Sequence, residues 1–121
     1  MTEIEFRLPK DDPALEDAVA EFIQSEFQQT AQFTPEPSPD GEHKGLAELA
    51  WQLVVIAATI EGTLQFAERA KRMERVKKLL DAIKTSGKPV YLKIRGKVID
   101  LSKQSVDKIM DLLAGDDDEQ Q

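Results

Sequence analysis

Residues 45–62 read GLAELAWQLVVIAATIEG, and what this stretch becomes decides the architecture. From Leu46 to Ile60 it is apolar nearly all round, interrupted by Glu48 and Gln52. No proline occurs between Gly45 and Lys88, so the stretch reads as the start of a long helix. With two polar interruptions it is short for a membrane span, which needs about 20 apolar residues. A helix apolar on most sides belongs at the centre of a soluble domain. A sheet covers one side of it, and other helices or a second copy cover another. Trp51, Val54, Val55 and Ala58 are therefore the candidate contact residues of a homo-oligomer. Gly62 falls inside the helix at a cost of about 1 kcal/mol relative to alanine, and marks a kink, a close approach or a break.

Beyond Gly62 the pattern becomes amphipathic. Phe66, Met73, Val76, Leu80 and Ile83 lie near one face, while Arg69, Arg72, Arg75, Lys77 and Lys78 sit around the others. Ser86 and Gly87, followed by Pro89, supply the stop. PVYLKIRGKVIDLS then reads as a hairpin turning at Gly96-Lys97. Ile94 faces Ile99, Leu92 faces Leu101 and Lys93 faces Asp100. Ser102 caps a last helix with the stripe Val106, Ile109, Met110 and Leu113, and Gly115 ends it.

On the other side, Thr2–Leu8 alternates. Ile4, Phe6 and Leu8 face one way and Glu3, Glu5 and Arg7 the other, as in a half-buried strand. Asp11 or Asp12 caps a helix with Pro13 in its first turn and with Leu15, Ala18, Val19, Phe22 and Ile23 at helical spacing. A strand is expected at 26–34, which makes this helix the crossover of a right-handed β-α-β unit; a longer helix through Phe27 is the competing reading. The expected fold is a single α+β domain over 1–115, in the order β-α-β-α-β-β-α. It has a mixed sheet of about four strands and a long apolar central helix packed on one side. Residues 116–121 read as a disordered acidic tail.

The charge is laid out in blocks. Residues 1–68 carry 3 Lys/Arg and 14 Asp/Glu, residues 69–108 carry 13 and 4, and residues 109–121 carry none and 5, within a net charge of −7. The favoured reading places the basic block beside acidic segments of the same chain or of a neighbouring copy. A phosphate-binding patch of Arg69, Arg72, Arg75, Lys77, Lys78, Lys93, Arg95 and Lys97 is the alternative, a nucleic-acid or nucleotide-responsive module. So acidic a total argues against nucleic acid as the partner. Tyr91 is the only ring in the basic hairpin, too few for a stacking platform.

Cysteine is absent, which removes disulfides and thiolate chemistry and suits a reducing, cytoplasmic setting. The N-terminus has no apolar signal core. With one histidine, a histidine zinc site is not expected, and no phosphate-loop or dinucleotide motif occurs. His43 lies in the proline-rich joint PEPSPDGEHKG, residues 35–45, where a general base would lack a fixed partner. The expectation is therefore no enzyme, no catalytic residue, no cofactor and no metal.

The joint PEPSPDGEHKG, the stretch LAELAWQLVVIAATIEG and the hairpin YLKIRGKVIDL together resemble the effector-associated constant component family. This is a small bacterial family whose members look like shared subunits of conflict, or immunity-type, systems. The resemblance covers nearly the whole chain. It implies a non-enzymatic adaptor that links an effector to a sensor or regulator by protein–protein contact, and it carries over no catalytic residue. On that reading the proline-rich joint is structural, with Gly41 and Gly45 letting the chain turn.

Overall fold

The computed structural model describes residues 2–10, 12–35, 51–60 and 64–114. Most of the proline-rich joint with His43, the stretch 46–50, Gly62, Gly115 and the tail 116–121 lie outside the described residues. The chain runs β1 (Thr2–Pro9), α1 (Pro13–Phe27), β2 (Thr34–Pro35), β3 (Trp51–Ala58), α2 (Phe66–Ser86), β4 (Tyr91–Ile94), β5 (Lys97–Asp100), a 3-10 turn (Leu101–Lys103) and α3 (Val106–Ala114). The α+β class holds. The sheet has five strands rather than four, in the order β2-β3-β1-β4-β5, and every pairing is antiparallel rather than mixed.

Among the described residues there is no long apolar central helix. Residues 51–58 of the deciding stretch form β3, paired with β1 along its whole length from Thr2↔Ala58 to Pro9↔Trp51. An apolar run of this length has no period that separates a buried helix from a strand covered on both faces. The consecutive β-branched residues Val54, Val55 and Ile56 then favour the strand, because their χ1 freedom is lost in a helix. The element order therefore gains a strand where the first half of the helix was expected. β2 is likewise reduced. The helix continues through Phe27, closed by Gln28 at φ 55, and only Thr34 and Pro35 pair with β3. The β-α-β unit survives in split form. β1 and β2 run parallel, because β3 lies between them and is antiparallel to both.

Local signals at the other ends are realised. Asp12 caps α1 by accepting from the Leu15 N–H at 3.1 Å, with Pro13 at the first helical position. Gly87 closes α2 at φ 72. The last helix is capped by Ser105, whose Oγ accepts from the Lys108 N–H at 3.2 Å. Ser102 instead sits in the 3-10 turn, bound to Asp100 through its N–H and hydroxyl. The hairpin turns at Arg95-Gly96, one residue earlier than expected. Ile94 pairs with Lys97, Lys93 with Val98, Leu92 with Ile99 and Tyr91 with Asp100. Both turn residues have positive φ, 52° and 80°, as a type I′ turn requires. Arg95 is held there by donating from its guanidinium to the Leu112 carbonyl at 2.7 Å.

The helices cover one face of the sheet. Ile4, Phe6, Leu8, Val54, Ile56, Leu92 and Ile94 of that face join Leu15, Val19, Phe22 and Ile23 of α1, Val76, Leu79, Leu80 and Ile83 of α2, and the apolar stripe of α3 in one core. Phe6 and Phe22 meet edge to face at 6.2 Å. Phe66 and Met73, expected on the buried face of α2, are exposed, Phe66 at 88%.

Candidate interaction surface

Strand alternation sends every second residue of the sheet away from the helices. On β1 this open face is polar, with Glu3, Glu5 and Arg7. On β3 it is Trp51, Leu53, Val55 and Ala57, so β3 is apolar on both faces. The cross-strand rows follow from the register. Val55, Glu5, Lys93 and Val98 form one row, and Leu53, Arg7, Tyr91 and Asp100 the next. Trp51 and Tyr91 reach across β1 to each other, with ring centroids 5.8 Å apart. Val55 is 49% exposed and Val98 60%. Two shallow depressions mark this face. One, of about 370 Å³, is lined by Thr2, Glu3, Glu5, Lys93, Arg95 and Gly96; the other, of about 140 Å³, adjoins Arg7, Tyr91 and Val98.

The expected contact residues therefore divide. Trp51 and Val55 lie on the open face. Val54 and Ala58 face the helices, are 1% and 5% exposed, and belong to the core; strand geometry gives neighbours opposite sides where a helix would have grouped them. Leu53, Ala57 and Tyr91 complete the apolar part of the surface. Leu53 and Ala57 are visible in sequence only once 51–58 is read with period two. The contact of Tyr91 with Trp51 depends on which strands flank β1, and no local signal carries that.

The basic candidates do not converge. Arg72 and Arg75 grip the Glu26 carboxylate from two sides, Arg72 Nε to Oε2 at 2.6 Å and Arg75 to Oε1 at 2.9 Å, with the Glu26 and Arg72 side chains 5% and 7% exposed. Lys78 Nζ donates to Glu21 at 2.9 Å. That hydrogen bond, and then the nearby charge, hold the Lys78 ammonium above the usual lysine range. Arg95 is bound to the α3 carbonyl and Lys93 sits on the open sheet face opposite Glu5. Arg69 and Lys77 are exposed on α2. The ion pairs Asp12–Lys88, Glu21–Lys78 and Glu26–Arg72 run in opposite directions along the two segments, so acidic α1 and basic α2 lie antiparallel. The charge blocks thus meet within one chain, as the favoured reading expected.

Gln52, in sequence only a polar interruption of the apolar stretch, has a structural role on the core face. It is buried and donates from its amide to the Pro9 carbonyl at 3.2 Å and to Glu16 at 2.6 Å, tying β3 to the start of α1. Among the described residues, no group of three or more His, Cys, Asp or Glu side chains could hold a metal ion. Nor is any helix among them long and apolar enough to cross a membrane. Compared with known proteins, the chain matches no family model, no curated protein and no solved structure.

Proposed function

We propose that this protein is a non-enzymatic adaptor of a bacterial conflict system. It joins an effector to a sensor or regulator through the open face of its sheet, and it self-associates. One observation carries the reading: β3 is apolar on both faces although the described helices cover only one of them. An antiparallel sheet with one solvated face ordinarily alternates apolar-in and polar-out, as β1 does here. Contiguous exposed apolar surface on a soluble chain marks a contact site. The resemblance of the sequence to shared subunits of conflict systems supplies the kind of partner.

The test is quantitative affinity purification of the tagged chain from its own cells. Wild type is compared with Val55→Glu and with Thr85→Glu, a change at an exposed position of α2. A stoichiometric protein partner retained by Thr85→Glu and lost by Val55→Glu supports the adaptor. Equal recovery with all three removes the sheet face from the reading. An adjacent gene for a peptidase-like protein or an NTPase would support the conflict-system assignment; a gene standing among RNA-processing functions would count against it. The nucleic-acid alternative loses support because Arg72, Arg75, Lys78 and Arg95 are each engaged within the chain. Fluorescence anisotropy with labelled RNA and DNA over a salt series is expected to show no binding that falls steeply with salt.

A further inference from the structure

On the outer side of the helices a groove of about 650 Å³ runs between α1 and α2. Its apolar lining is small where it is accessible, with Ala14 and Ala18 from α1 and Ala82 from α2, over the buried Phe22 and Leu79. One rail, on α1, carries Asp17 and Glu21; the other, on α2, carries Lys71, Arg75 and Lys78, with Glu74 the one acid among them. Each rail is about 16 Å long at 1.5 Å per residue, from Ala14 to Ser25 and from Lys71 to Ala82. The rails continue the character of their helices. α1 has Glu16, Asp17, Glu21 and Glu26 and no Lys or Arg, whereas α2 has seven basic residues against three acidic ones.

We infer that a second copy of this chain seats on this groove, with the two-fold axis running along it. The inference rests on the self-association in the reading above and assigns it a surface. Two copies that meet face to face through this layer with their helices aligned can be related by an axis across the groove or by one along it. An axis across the groove lays α1 on the partner's α1 and α2 on the partner's α2. Acids then face acids, and Lys71, Arg75 and Lys78 face their own kind, which is destabilising. An axis along the groove lays α1 on the partner's α2, antiparallel, so that opposite charges meet on both sides. Glu21 and Lys78 stand at the same level within one chain. A rotation about the groove preserves level, so the Glu21 of each copy comes to face the Lys78 of the other. Asp17, one turn away, comes over Ala82, next to that same lysine. The two exposed pairs become one alternating network of four charges. Ion pairs gain in such a network what they lack singly on a surface. Ala14, Ala18 and Ala82 offer no bulk at the seam, which admits the 8–10 Å separation of packed helices.

The experiment uses two full-length variants, Asp17→Lys/Glu21→Lys and Lys71→Glu/Lys78→Glu, with circular dichroism to confirm that each keeps its helices. Sedimentation equilibrium is run on wild type, on each variant and on their equimolar mixture. Wild type is expected to dimerise, and its dissociation constant to rise at least tenfold as sodium chloride goes from about 0.05 M to about 0.5 M, because screening shortens the reach of exposed charges. Each variant alone is expected to be monomeric and the mixture to form a heterodimer. The inference is overturned by a monomeric wild type, by variants that stay dimeric alone, or by a mixture that stays monomeric. Variants that stay dimeric leave self-association standing on another surface. None of these outcomes touches partner capture through Val55, which is measured separately.

Discussion

Glu26 is a costly side chain to alter although it lies outside the apolar core. Its carboxylate is nearly buried between Arg72, itself buried, and Arg75, which is 33% exposed. Removing one member of a buried pair strands the other charge away from water, at a cost of about 3–5 kcal/mol. Glu26→Gln is therefore expected to lose about 3 kcal/mol in urea unfolding with an unchanged slope; a loss under about 1 kcal/mol would mean that water reaches the cluster. Lys78 is the contrasting case, an exposed cation held by Glu21. Because its folded pKa is raised, its contribution is fully present below the usual lysine value and disappears as the pH rises through the raised one. The melting difference between wild type and Lys78→Gln is thus expected to be constant around neutral pH and to shrink in strongly alkaline solution. Neither partnership could be read from the sequence. The acids and bases that meet lie 46 and 57 positions apart, and only the antiparallel docking of α1 and α2 selects which pairs form.

Elements were legible where a local signal fixes them. β1 alternates strictly, Asp12-Pro13 starts α1, and Gly87 ends α2, and each of these depends on residues within a few positions. β3 was illegible for a physical reason: a strand apolar on both faces discards the alternation that identifies strands, and its uniform run then reads equally well as a buried helix. The two conformations make opposite demands on neighbours. Val54→Ala is expected to cost about 2 kcal/mol, since its side chain is fully buried, whereas Val55→Thr should stay within about 0.5 kcal/mol. Similar losses at both positions in thermal melts would contradict the strand. The sequence pattern locates the hairpin turn within one residue, yet each cross-strand pair it predicts differs from the observed one, because a shift at the turn moves every partner. The observed turn puts Arg95 at φ 52 and Lys97 in β5. Arg95→Val is accordingly expected to cost about 2 kcal/mol, from left-handed strain and the lost bond to Leu112. Val98→Thr, at an exposed position of β5, should stay within about 0.5 kcal/mol. Under a Gly96-Lys97 turn Arg95 would instead lie on a strand at negative φ, and Arg95→Val would be close to neutral.

The assembled molecule places its first strand at the centre of its sheet. β1 is hydrogen-bonded to β3 on one side and β4 on the other, while β5 is an edge and β2 covers only Leu53 and Gln52 of β3. That arrangement makes the two margins unequal in stability to the middle. Amides in a doubly flanked core strand open only with the whole fold, whereas those of a four-residue edge strand fray locally. The candidate contact face spans both kinds of region, since Trp51, Leu53, Val55 and Ala57 lie next to β1 and Val98 lies on the edge. Native-state hydrogen exchange followed by NMR therefore reports on fold and function together. For the isolated chain, the hydrogen-bonded amides between Ile4 and Leu8 should exchange at the global unfolding free energy, and those of Lys97–Asp100 several orders of magnitude faster. Adding the captured partner should slow exchange along β3 and at the margins of the sheet while leaving α3 unchanged. Equal protection of β5 and β1 in the isolated chain would mean that the edge is already covered. A partner that slows exchange only in α1 and α2 would move the adaptor contact from the sheet to the helical groove.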